Sequence, residues 1–238
     1  MYHVTSLIRT TQYVRSPGNV SRGFTLIELI VVIAIMATIS AIALLGNASF
    51  NHSILLSENT HNLATVMHNA QALGLSNQNV AGSSYENVGY GFNVTTAGTD
   101  TYTIFADLTP PPTQLGGCFS TDPTLPDALP GDCRYNPGSD VLIRQYHLDR
   151  GFTIRRFCAA SGATTYCSDS PSFALASLDI TFMPTRSGAV ITGTDGSSGG
   201  FSIWHGSTAT LYVQAPGGET RCVTVRDTGQ ILLPQTCP

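Results

Sequence analysis

The strongest pattern along the chain is an unbroken apolar run from Phe24 to Leu45, FTLIELIVVIAIMATISAIALL, 22 residues interrupted by one charge, Glu28. At about 1.5 Å per residue such a helix would reach roughly 33 Å, enough for a ~30 Å hydrocarbon core. A removable secretory signal usually has an apolar core of only about 7–15 residues, so the run reads as a retained membrane helix. No proline occurs between Phe24 and Pro110, and the helix is free to continue. From Ile54 the pattern turns amphipathic: Leu56, Leu63, Met67, Ala70 and Leu73 recur near helical spacing, with Glu58, Asn59 and Asn62 between them. Gly74 and the polar run Ser76-Asn77-Gln78-Asn79 mark the end. The periodicity predicts one helix of about 50 residues, its first half in lipid and its second packed on a globular head.

Past Val88 the period changes to two. Gly89–Val94 and Thr101–Phe105 read as a hairpin around Ala97-Gly98-Thr99-Asp100. Alternation returns at 141–146, 152–157, 178–182, 189–192, 201–204, 209–213, 221–226 and 230–233, separated by glycine-rich turn signals. Residues 107–140 carry proline, glycine and aspartate without periodicity, an unusual length of irregular chain inside a compact domain. One helix followed by a strand series predicts an α+β fold, a long helix on an antiparallel sheet.

Charge sharpens this picture. Charged residues make up 11% of the chain, and all 11 basic residues are arginines. Arg9, Arg15 and Arg22 precede the apolar run with no acid among them, whereas all 15 acids follow it. Arginine before an apolar span holds that end in the cytoplasm, which would place the acidic body outside. With a net charge of −4 the protein has no global basic surface for nucleic acid. The six cysteines, Cys118, Cys133, Cys158, Cys167, Cys222 and Cys237, all lie beyond the span. An even count downstream of a translocation signal points to disulfides in an oxidising compartment. No Cys-x-x-Cys spacing supports a zinc or redox motif. Three bridges allow 15 connectivities, and pairing between neighbours, each stapling a local loop, is the expectation.

Glu28 does not suit a plain anchor. An ionised side chain at the centre of a membrane helix costs on the order of 2.5–3.5 kcal/mol, less near an interface, so it should have a partner. Cutting between Gly23 and Phe24 would create an amine four residues before it. The run Arg22-Gly23-Phe24-Thr25-Leu26-Ile27-Glu28-Leu29 resembles the leader-peptidase site of type IV pilins and type II secretion pseudopilins. The resemblance implies a pilin-like fold, cleavage after Gly23, N-methylation of Phe24, and pairing of Glu28 with a neighbouring subunit's amine during assembly. It divides the chain into a basic leader 1–23, a transmembrane or filament-core helix 24–45, an amphipathic extracytoplasmic half 46–78, and a β-rich head 79–238 with a disulfide-bracketed loop at about 107–140. Val88–Phe92, Tyr102–Asp107, Ile180-Thr181-Phe182 and Arg221–Val225 before Thr228-Gly229 are similar to the GspH/FimT-like minor-pilin branch.

The partners so implied are a prepilin peptidase and methyltransferase, other pilin or pseudopilin subunits, an assembly platform and a separate motor ATPase. No Gly-x-x-x-x-Gly-Lys phosphate loop exists for the chain to be its own motor. The location implied is the bacterial inner membrane with the head outside, then a pilus or pseudopilus.

Other constellations carry less. Gly196–Gly200 fits the nucleophile elbow but sits between strands rather than before a helix. It reads as a hairpin, leaving an anchored exported hydrolase a remote alternative. His61 and His68 are too far apart for a helical metal pair. Asp122, Asp127, Asp132 and Asp140 lack calcium-loop spacing and read as solvated loop acids. Arg155, Arg156, Arg221 and Arg226 are the basic spots that a DNA-binding minor pilin would use, and ordinary strand arginines account for them better. No cofactor, catalytic group or metal site is expected, so the reading is a structural subunit and not an enzyme.

Overall fold

The computed structural model describes residues 23–76, 80, 84–115, 117–118, 129–184, 186–195, 202–203 and 205–238, with side chains outside 43–51, 186 and 202–203. The arginine-bearing leader, Asp122, Asp127 and the 196–200 segment lie outside these residues. The chain divides into two units, Met1–Gly46 and Asn47–Pro238.

A single helix crosses that division among the described residues: α1, Leu26–Leu75, 50 residues long. In the second unit its period-3.6 stripe is buried, with Leu56, Leu63, Met67 and Ala70 at the core. Leu73 is partly buried beside them. Thr60 is buried on the same face, its hydroxyl donating to the Leu56 carbonyl at 2.6 Å. The helix ends where Gly74 meets the sheet, since a Cβ there would collide with the Phe182 backbone. Glycine at this point is a packing requirement as well as a stop signal.

The strands are β1 Gly89–Thr95, β2 Thr101–Asp107, β3 Val141–His147, β4 Thr153–Ser161, β5 Thr164–Cys167, β6 Ser177–Met183, β7 Arg186–Thr194, β8 Ser202–Ile203, β9 Thr208–Gln214, β10 Thr220–Arg226 and β11 Ile231–Leu232. They form two antiparallel sheets where one was expected. The six-stranded sheet has the order β3-β2-β1-β6-β7-β8 and the five-stranded sheet β11-β10-β9-β4-β5. The chain leaves the first sheet after β3, starts the second with β4 and β5, returns for β6–β8, and finishes in the second. β4 pairs with β9 (Phe157 with Leu211), so its partner lies far along the sequence.

One core joins α1 to the inner faces of both sheets: Phe92, Ile104, Ile180 and Phe182 from the first, Phe157, Leu211, Val223 and Val225 from the second. Each such side chain taken from water contributes about 1.5–3 kcal/mol. β5 was not foreseen. It hairpins back from β4 through Gly162-Ala163, with Gly162 in the left-handed region at φ 61°. Its small and threonine-rich residues carry no apolar alternation to read.

The described parts of 108–140 lie on the outer face of the first sheet, and buried hydrogen bonds hold them there. Thr192 donates its hydroxyl to the Cys133 carbonyl at 2.7 Å. The Tyr135 ring packs on Phe105, centroids 5.2 Å apart. Phe105 in turn covers Gly91, the residue opposite it on β1, where a side chain would strike the ring.

Candidate functional site

Gly23, Phe24 and Thr25 precede the first turn of α1. The Thr25 hydroxyl accepts the Glu28 N–H at 3.3 Å, and the Thr25 carbonyl accepts the Leu29 N–H at 3.2 Å. Thr25 is therefore the N-cap and Glu28 the third helical residue, the two positions of a capping box. A carboxylate in the first turn also opposes the positive end of the helix dipole. This role of Thr25 was missed in the sequence, although Thr-x-x-Glu before an apolar run is its signature.

Every described side chain from Phe24 to Ile42 is exposed. Phe24 keeps 81% of its surface and Ile42 keeps 71%. A helix that is apolar all round belongs in a core or in lipid. Its exposure in a single chain means that another surface must cover it. Among the described residues no helix is long and apolar enough to cross a membrane. Side chains are described to Ile42, so Ala43-Leu44-Leu45, the end of the expected span, fall outside them. Glu28 sits in this apolar surface, and no ion-pair partner for it exists among the described residues. A Cβ built on Gly23 would meet nothing within 4 Å among them. Packing among the described residues gives no reason for glycine at that position.

The structure joins Cys118 to Cys133, Cys158 to Cys167, and Cys222 to Cys237. The first bridge packs on Met183 and Val190, under the loop. The other two flank Tyr212 on the outer face of the second sheet. There the Tyr212 hydroxyl donates to the Pro238 carbonyl at 2.7 Å, which ties down the C-terminus.

Of the four acids expected to be solvated, the two among the described residues are not: Asp140 is buried and Asp132 half-buried. Asp107 accepts the N–H groups of Asp132, at 3.1 Å, and Cys133. Asp140 accepts those of Leu108 and Thr109 at 3.1 Å and of Asn136 at 2.7 Å. Asp179 accepts the Asn93 amide at 2.7 Å and the Tyr135 N–H at 3.1 Å. The carboxylates replace the ladder partners that an irregular segment lacks. Burial is the main cause that raises all four carboxyl groups: Asp132 to about 6, Asp179 to about 7, Asp140 above its ordinary value and Asp107 well above it. The neighbouring acids add to the rise, and the Arg134 guanidinium beside Asp132 and Asp179 opposes it. In the sequence Asp107 opens the irregular 107–140 stretch and Asp179 falls inside a strand, and nothing local marks either as a loop clamp.

Among the described residues no three His, Cys, Asp or Glu side chains are placed to hold a metal ion. His61 is exposed, and His68 meets the Gln71 side chain at 3.3 Å. The arginines do not form one patch. Arg156 lies 3.8 Å from Asp169 and 4.1 Å over the Tyr212 ring, and Arg221 donates to Ser57 on α1 at 3.4 Å. Arg155 and Arg226 are exposed on different strands of the second sheet.

No curated protein and no solved structure is significantly similar to the chain. Residues 18–44 match the prokaryotic N-terminal methylation motif. The chain thus carries, at the end where an uncovered apolar helix begins with a capped acidic turn, the signature of type IV pilins and pseudopilins.

Proposed function

We propose that this protein is a structural subunit, a minor pilin or pseudopilin, of a type IV pilus or type II secretion filament. It enters the inner membrane with its leader in the cytoplasm, is cut after Gly23 by a prepilin peptidase and is methylated on Phe24. The exposed apolar helix carries the reading. It is held first by lipid and then by the helices of neighbouring subunits, so extraction from the membrane exchanges one apolar environment for another.

Glu28 gives that exchange a direction. In lipid its charge is costly, and the amine of an adjacent mature subunit offers the counter-charge. The open surroundings of Gly23 support an external reader of that residue, since no neighbour in the described chain demands it. The bonded cap survives cleavage, because Thr25 and Glu28 both lie beyond the scissile bond. An assembly platform and a motor ATPase would supply the work.

The test is the mass of the native N-terminus. It should be an N-methylated Phe24, and Gly23→Glu should leave the chain at its unprocessed size on a gel. A native polypeptide still beginning at Met1 would overturn the proposal.

A further inference from the structure

The outer face of the six-stranded sheet carries a second feature, independent of the filament reading. Strand register sets Gln145, Thr103 and Asn93 side by side across β3, β2 and β1, with Asp179 next on β6. Thr95 and Thr101, each two residues further along its strand, add a second polar row. The two rows are spaced about 4.8 Å across strands and about 7 Å along them. Tyr135 and Pro137, from the loop that the aspartates clamp, complete a pocket of about 300 Å³ over these rows.

Its polar groups are ordered yet unspent. Asp179 fixes the Asn93 amide by accepting its N–H at 2.7 Å, which leaves the side-chain oxygen as an acceptor. Among the described residues the hydroxyls of Thr95, Thr103 and Tyr135 and the amide of Gln145 make no hydrogen bond within the chain. Among the described residues no Asp, Glu, Arg or His lines the cavity. A charged ligand would lose hydration there without meeting a counter-charge. An extended peptide would pair along the free edge of β3, beside the pocket, and not over the sheet face where these side chains stand. What remains is a neutral, polyhydroxylated molecule of one or two rings, its hydroxyls met by threonine, amide and phenol groups.

We propose that this pocket binds a neutral carbohydrate. The full chain, purified in a zwitterionic detergent free of sugar, is titrated with galactose, mannose and N-acetylglucosamine and followed by saturation-transfer NMR, with glucuronate as the charged comparison. At least one neutral sugar should bind saturably and glucuronate should not. Thr103→Val, and separately Gln145→Leu on the exposed edge strand, should each weaken that binding roughly tenfold, the loss of one directed hydrogen bond. Arg226→Gln, outside the pocket, should leave it unchanged. Thermal unfolding of each variant separates lost contacts from lost fold. The proposal is overturned if none of the three sugars saturates, if glucuronate binds equally well, or if a folded Gln145→Leu retains full affinity.

Discussion

Two stretches of one helix treat apolar side chains in opposite ways. From Leu26 to Ile42 they are exposed on every side, whereas from Leu56 to Ala70 they are hidden along one stripe: Ile42 keeps 71% of its surface and Leu63 none. The first is apolar at nearly every position, and the second only along one stripe with polar residues between. That spacing decides what can cover each. A stripe at 56, 63, 67 and 70 can be matched by sheets from the same chain. A surface that is apolar all round needs neighbours on every side, which the described chain does not supply. The head closes on itself with two sheets and three disulfides. The N-terminal unit remains unfinished until something else covers it, and the recognisable motif lies there.

The largest expected effect comes from breaking the exposed apolar stretch at its one charge, Glu28. Glu28→Ala should leave processing and head unfolding unchanged while filament incorporation falls more than about a hundredfold, since losing one partner of a buried ion pair costs roughly 3–5 kcal/mol. Incorporation is read by immunoblot of sheared filaments. Wild-type incorporation would show that the acid has no part in docking.

How much was legible follows the same division. Periodicity located α1 and most strands because each element repeats its own pattern locally, and turn residues marked the gaps. Pairing was not legible: alternation shows which residues of β4 share a face, but not that β9 is its partner rather than β3. That is why one sheet was read where two exist. The clamped loop was hidden for a related reason. Asp132 and Asp140 look like ordinary loop acids until the fold sets Asp107 and Asp179 beside them. At the N-terminus the reverse happened. The apolar run made Glu28 conspicuous as a membrane charge, and the Thr25 cap that takes its N–H went unread.

The buried acids offer a second way to sharpen the comparison, because they belong to the head alone. Folding raises the carboxyls of Asp132 to about 6 and Asp179 to about 7. Between pH 4 and 7 the folded head holds more protons on them than the unfolded chain does. Their contribution is fully present below the ordinary carboxyl range and is lost as pH rises through 6 and 7, a change on the order of a few kcal/mol. Head stability in denaturant should therefore decline from mildly acidic to mildly alkaline solution. Asp179→Asn keeps an acceptor for Asn93 and the Tyr135 N–H without the charge, so it should flatten that slope and stabilise the head at pH 8. An unchanged slope in this variant would mean that Asp179 does not govern it. Cleavage after Gly23 should be unaffected.

The smallest expected effect tests whether the first turn is held by its own cap before any neighbour arrives. Thr25 offers the hydroxyl that takes the Glu28 N–H, and removing an N-cap costs about 0.5–2 kcal/mol. Thr25→Ala should speed hydrogen exchange at the Glu28 amide roughly fivefold in micelles, the equivalent of about 1 kcal/mol. Thr25→Ser, which keeps the hydroxyl, should restore protection. Amides near Leu63 should not respond, since the sheets hold that turn whatever happens at the start of the helix. Should Thr25→Ala leave the Glu28 amide as protected as before, the turn that presents the acid owes its order to something other than this cap. Glu28 would then be aimed by its surroundings in lipid or filament, and the mature N-terminus would not be pre-formed for docking.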